Sequence, residues 1–122
     1  MKKILIIEDN TMIRENTAEI LELAHYVVIT AENGEAGVQM ALNEKPDLII
    51  CDVLMPLLDG FNVLRLLKEN DESSKTPFIF LSAKTEKTDI KEGMELGADD
   101  YIKKPFSDFE LLQAVERGLN EV

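Results

Sequence analysis

Three carboxylates, a hydroxyl and an ammonium stand at the ends of apolar runs in this chain. Glu8 and Asp9 follow Ile4-Leu5-Ile6-Ile7, and Asp52 follows Leu48-Ile49-Ile50-Cys51. Ser82 follows Phe78-Ile79-Phe80-Leu81, while Lys104 comes two residues after Ile102 and directly before Pro105. Carboxylates brought to one point repel each other unless something neutralises them. A hard divalent cation with oxygen ligands does so, and Mg2+ takes few protein carboxylates while keeping several waters. An Asp carboxylate beside such a cation can serve as nucleophile toward a phosphoryl group, the metal offsetting charge on the phosphoryl oxygens. Lys104 would then pair with those oxygens, and Ser82 would donate a hydrogen bond to them. Taken singly, each residue has a plainer reading. Glu8 and Asp9 would cap a helix, Asp52 and Ser82 would end strands, and Lys104 would be a solvated lysine. Their chemistry depends on whether the fold brings them together.

Five short runs rich in β-branched or aromatic residues predict strands at 3–7, 26–30, 47–51, 77–81 and 100–102. Helical patterns lie between them. Ile13, Thr17, Ile20, Leu21 and Ala24 recur at helical spacing, as do Val63, Leu64 and Leu67. Asn33-Gly34 starts the second helix and Gly97 ends the fourth, which covers roughly 85–96. Ser107-Asp108-Phe109-Glu110 matches a capping box ahead of Leu111, Leu112, Val115 and Leu119. Residues 69–76 form a polar loop. The runs at 3–7, 47–51 and 77–81 are apolar without clean alternation, as in a parallel sheet covered on both faces.

The alternation predicts an α/β fold, a (βα)5 doubly wound, flavodoxin-like domain spanning 1–122, with a parallel sheet in the order 2-1-3-4-5. That order puts strands one and three side by side, and ligands bind beyond the carboxyl ends of the strands at this switch point. Glu8, Asp9 and Asp52 belong there, with Ser82 and Lys104 at the same edge. The joint placement makes the plainer readings hard to sustain.

Composition narrows the classes. The 122 residues amount to about one domain on a scale of ~100–200 residues per domain. With 24 acidic and 13 basic residues the net charge is −11, which opposes direct binding to nucleic acid or anionic lipid. No run approaches the ~20 apolar residues of a membrane span, and the amino-terminal apolar run is too short for a secretory signal. The single Cys51 rules out an internal disulfide and fits a cytoplasmic location. It reads as a small core residue, and His25, the one histidine, reads as a loop residue.

On these residues the chain resembles, essentially end to end, the receiver domains of the response-regulator family of two-component signalling, the chemotaxis-regulator-like group. The matching segments are Ile7-Glu8-Asp9, Asp52-Val53-Leu54-Met55-Pro56-Leu57-Leu58-Asp59-Gly60, Leu81-Ser82-Ala83 and Tyr101-Ile102-Lys103-Lys104-Pro105-Phe106. The resemblance implies that Asp52 accepts a phosphoryl group from the phosphohistidine of a sensor histidine kinase or phosphotransfer protein. It implies that Glu8, Asp9, Asp52 and the backbone carbonyl of Leu54 hold Mg2+, with Mn2+ as a substitute. Ser82 and Lys104 would bind the phosphoryl oxygens, and the domain would catalyse both its own phosphorylation and its slow reset. Ser82 and Tyr101 would form the switch: Ser82 moves toward the new oxygens and Tyr101 rotates inward. The remodelled face, built from helix four, strand five and helix five, would meet a partner, an output domain beyond residue 122 or a second copy in a homodimer. Kinase docking would include Thr11, Met12 and Arg14. The acidic pair is Glu-Asp rather than Asp-Asp, and Ser82 stands where threonine is commoner. The apolar Leu54 offers no group to position water, which implies a long-lived phosphoryl state.

Other classes fit less well. A flavodoxin-like FMN carrier needs a Ser/Thr/Gly-rich loop after strand one, where this chain has Glu8-Asp9-Asn10-Thr11. A phosphatase of the haloacid-dehalogenase type needs a second Asp two residues past the nucleophile, where Leu54 stands. A receiver-like interaction module that works without phosphorylation remains the alternative.

Overall fold

The computed structural model describes residues 1–121. Val122, the last residue of the domain expected from the sequence, lies outside the described residues. The elements alternate strictly: β1 (Lys3–Ile7), α1 (Thr11–Leu23), β2 (Val27–Ala31), α2 (Gly34–Glu44), β3 (Leu48–Cys51), α3 (Gly60–Lys68), β4 (Phe78–Ser82), α4 (Lys87–Glu95), β5 (Asp100–Lys103) and α5 (Asp108–Gly118). All four strand pairings are parallel, and the sheet order is β2-β1-β3-β4-β5.

Successive side chains of a strand point to opposite faces, and here both faces are buried. Leu5, Ile7, Ile49, Cys51, Phe78 and Phe80 pack with Ala41, Val63, Leu64 and Leu67 on the side of α2 and α3. Ile4, Ile6, Leu48, Ile50, Ile79 and Leu81 pack with Ile20, Leu21, Leu111, Ala114 and Val115 on the side of α1 and α5. This explains the unbroken apolar runs, since neither face can afford polar alternation. Cys51 is buried in the first of these clusters.

Several boundaries shift by a residue from those read in the sequence. Asp47 lies just outside β3, and its carboxylate accepts from the backbone N–H of Lys3. Ser82 lies inside β4 rather than after it. Helix α4 begins later than expected because Glu86 is its cap. Asp89 completes that capping box by accepting from the Glu86 N–H at 3.1 Å. The box in α5 is the expected one, Ser107 with Glu110. Gly97, just past α4, has φ +108°, a conformation that favours glycine. His25 is exposed in the turn after α1 with φ 73°. Among the described residues, no helix is long and apolar enough to cross a membrane.

Candidate functional site

The ends of β1 and β3 meet at the point where the strand order reverses. Ile7 pairs with Ala31 on one side and Cys51 on the other. The Asp52 N–H donates to the Ile7 carbonyl at 3.0 Å, and the Glu8 N–H donates to Ala31 at 3.0 Å. The main chain therefore carries both residues past the sheet edge side by side. Oxygens of Glu8, Asp9 and Asp52 lie within 4.8 Å of one another. Glu8 is 3% exposed and Asp52 5% exposed, while Asp9 is open to solvent.

Lys104 arrives from the loop after β5, where the Lys104–Pro105 peptide bond is cis. Its N–H donates to the Ser82 carbonyl, which extends the β4–β5 ladder by one step. Nζ lies 2.7 Å from Oε1 of Glu8 and 3.2 Å from Oδ2 of Asp52, and its side chain is 13% exposed. Lys104 touches two of the three clustered carboxylates, and one ammonium against three leaves an excess of negative charge. Glu8 shows what burial in this site does to a carboxylate. Burial pushes its carboxyl up from 4.5 to about 7, against the pull of the Lys104 hydrogen bond, and the Asp52 charge adds to the rise. A divalent cation with a preference for oxygen matches this donor set in charge and chemistry. Glu8, Asp9 and Asp52 are the side chains able to hold it.

Local structure fixes these groups. Oε2 of Glu8 accepts from the Asn10 N–H at 3.2 Å, and Oδ1 of Asp52 accepts from the Leu54 N–H at 3.3 Å. Leu54 sits on the rim, 54% exposed. Gly60 opens α3 directly against Asp52, and a Cβ there would strike the Asp52 carbonyl. The Asp59-Gly60 pair is thereby explained: Asp59 caps α3 by accepting from Asn62, and Gly60 gives the Asp52 backbone room.

Ser82 is fully buried at the same edge, its Oγ accepting from the Lys84 N–H at 3.1 Å. The Lys84 carbonyl accepts from the Tyr101 hydroxyl, and Lys84 Nζ lies 3.2 Å from Asp89 in the first turn of α4. The Tyr101 ring packs on Phe80 with centroids 5.6 Å apart, and burial raises the pKa of its hydroxyl above the usual 10. Lys84 therefore joins Ser82, Tyr101 and α4. Ser82, Tyr101 and helix four are expected together from the sequence, whereas the Lys84 link is not, because its bond to Tyr101 uses only the backbone carbonyl. Arg14, expected from the sequence only as part of a kinase-docking surface, contacts main-chain oxygens of the β1–α1 turn, a role that residue type does not announce. Of the apolar pair in the β3–α3 loop, Leu58 packs on the core, while Leu57 is fully exposed with φ 70°.

Comparison with known proteins identifies the family and the fold. Residues 4–116 match the family model described as the response regulator receiver domain. The chain is 42% identical over 118 residues to the phosphate regulon transcriptional regulatory protein PhoB of Pseudomonas aeruginosa, covering 97% of this chain and 52% of that protein. The chain spans about half the length of the first curated relatives it matches. The chemotaxis protein CheY4 of Vibrio cholerae superposes with a TM-score of 0.92 at 32% identity, covering 98% of this chain and 99% of that one. The receiver domain of the sensor histidine kinase PA1611 of Pseudomonas aeruginosa superposes at 0.90 with 28% identity, covering 98% of each chain. That structure holds a magnesium ion coordinated in its active-site cleft.

Proposed function

The chain belongs to the response regulator receiver domain family, and on that premise we propose that it is a phosphoacceptor whose Asp52 is phosphorylated. The observation that carries this reading is the convergence of Glu8, Asp9 and Asp52 within 4.8 Å, with Lys104 against two of them. The donor is the phosphohistidine of a sensor histidine kinase or phosphotransfer protein. Glu8, Asp9, Asp52 and the backbone carbonyl of Leu54 are the groups that would hold Mg2+, or Mn2+ in its place. The bound cation would supply positive charge against the phosphoryl oxygens.

A carboxylate oxygen of Asp52 attacks phosphorus. The phosphorus–oxygen bond forms as the phosphorus–nitrogen bond breaks, and the electron pair returns to that ring nitrogen, while a proton on the other ring nitrogen makes the leaving group a neutral imidazole. Near-complete burial of Asp52 keeps bulk water from competing. Lys104, already paired with Asp52, transfers its ammonium contact to the phosphoryl oxygens. Ser82 turns its hydroxyl toward them.

That movement of Ser82 pulls on Lys84, whose N–H it accepts, and so on the Tyr101 hydroxyl and on Asp89 of α4. The Tyr101 ring is already half-buried against Phe80, so the switch shifts the balance of an inward ring rather than bringing it in from solvent. The face formed by α4, β5 and α5 then meets an output domain, a separate partner or a second copy. Incubation with acetyl phosphate and Mg2+ tests the reading by intact mass. The wild type is expected to gain one phosphoryl group and Asp52→Asn none. Failure of the wild type, or equal gain by the variant, would contradict it.

A further inference from the structure

We propose that Arg14 is a positioning residue for the acidic pair, holding Glu8 and Asp9 in the arrangement that binds the divalent cation. The inference rests on the metal-binding reading of that site. Arg14 is the fourth residue of α1, and helical side chains lean back toward the amino terminus. Its Nη1 donates to the Glu8 carbonyl at 2.8 Å and lies 3.5 Å from the Asp9 carbonyl, while Nη2 lies 3.5 Å from Oγ1 of Thr11. One planar fork thus ties the whole turn between β1 and α1 to the helix that follows.

The placement is electrostatically adverse twice over. A cation in the first turn opposes the helix dipole, which favours anions there. It also stands beside residues that must take up a divalent cation, which its charge repels. The Arg14 charge offsets part of the negative excess at Glu8, Asp9 and Asp52, but charge alone does not order the turn. What the guanidinium provides is geometry: several N–H groups in a rigid fork, which a lysine cannot reproduce. The acidic turn needs such support. Asp9 is exposed, and the direct support of the Glu8 carboxylate from its own turn is the 3.2 Å bond from Asn10.

The sign of one substitution separates the two views. Through-space repulsion alone predicts that Arg14→Met binds Mg2+ more tightly than the wild type. Positioning predicts weaker binding, by about tenfold, the lower end of what loss of a group supporting metal ligands produces. Mg2+ titration of the whole chain, followed by amide NMR shifts, reads affinity and fold in one experiment. Arg14→Met is expected to lose about tenfold in affinity and Arg14→Lys less, with both keeping a native spectrum in EDTA. Unchanged or tighter binding by Arg14→Met overturns the inference. Should Arg14→Met not fold, Arg14→Lys decides alone: weaker binding supports positioning, and equal or tighter binding overturns it. Absence of binding by the wild type would overturn the metal-binding reading itself, an outcome distinct from normal wild-type binding with indifferent variants.

Discussion

Lys104 lies closer to Glu8 than to Asp52: its Nζ is 2.7 Å from Oε1 of Glu8 and 3.2 Å from Oδ2 of Asp52. The ammonium is therefore shared between a candidate metal ligand and the proposed phosphoacceptor. A cation at Glu8 would compete with Lys104 for the same carboxylate, so metal binding would release Lys104 toward Asp52. The ion pair is a resting arrangement of the groups that phosphorylation would use.

Replacement of Lys104 by Met separates its two roles. Mg2+ binding should tighten several-fold, because the competing charge is gone. Phosphorylation by acetyl phosphate should slow by at least tenfold for want of the ammonium on the phosphoryl oxygens. Stability in EDTA should fall by about 1–2 kcal/mol, less than the about 3–5 kcal/mol of breaking a fully buried pair, because Glu8 takes up a proton instead. Calorimetric Mg2+ titration, phosphorylation kinetics and urea unfolding give the three readings.

The Glu8 carboxyl, raised to about 7 by burial, sets a pH dependence. Metal and proton compete for it, so Mg2+ affinity should rise about tenfold from pH 6 to pH 8, as one carboxyl titrating near 7 requires. The metal-free fold should respond oppositely. A raised carboxyl pKa means that the folded state holds its proton more tightly than the unfolded chain. The contribution of Glu8 to stability is then full below its ordinary value of 4.5 and is lost as pH rises through about 7. Mg2+ should restore stability most strongly above pH 7. Thermal unfolding across pH, with and without Mg2+, checks both signs.

Ser82 and Tyr101 meet at Lys84, so their variants should act on α4. Ser82→Ala deprives the Lys84 N–H of its acceptor and should destabilise by about 1 kcal/mol. Ser82→Thr keeps the hydroxyl and should retain phosphorylation. Tyr101→Phe removes the hydroxyl that the Lys84 carbonyl accepts from. It should raise amide exchange in the first turn of α4 while leaving phosphorylation at Asp52 near the wild-type rate. Hydrogen exchange beside a phosphorylation assay distinguishes the effects.

Leu54 bears on lifetime. Its side chain is on the rim beside Asp52 and carries no group to orient an attacking water. The aspartyl phosphate should persist for minutes or longer without a phosphatase, and Leu54→Asn should shorten it. Loss within seconds in the wild type, followed by intact mass, would contradict this.

Much of this was legible in the sequence because it follows from local rules. Unbroken apolar runs marked buried parallel strands, and the order of such a sheet placed Glu8, Asp9 and Asp52 together. The Ser107–Glu110 box was readable because serine and glutamate are its usual residues. The box at Glu86 and Asp89 uses a glutamate as cap, so the sequence pattern alone starts α4 too early. Ser82 fell inside β4 because nothing in Leu81-Ser82-Ala83 says where the ladder ends. The preference of Lys104 for Glu8, the bridging by Lys84 and the fork of Arg14 all join residues distant in sequence or use backbone atoms. No spacing rule reports those.

Phosphorylation of Asp52 can be read at the residue itself. The most direct measurement is borohydride trapping after incubation with acetyl phosphate and Mg2+, which reduces an aspartyl phosphate to homoserine, followed by peptide mass spectrometry. Homoserine is expected at position 52, dependent on Mg2+ and absent in Asp52→Asn. Homoserine at another aspartate, or none in the wild type, would contradict phosphorylation at Asp52.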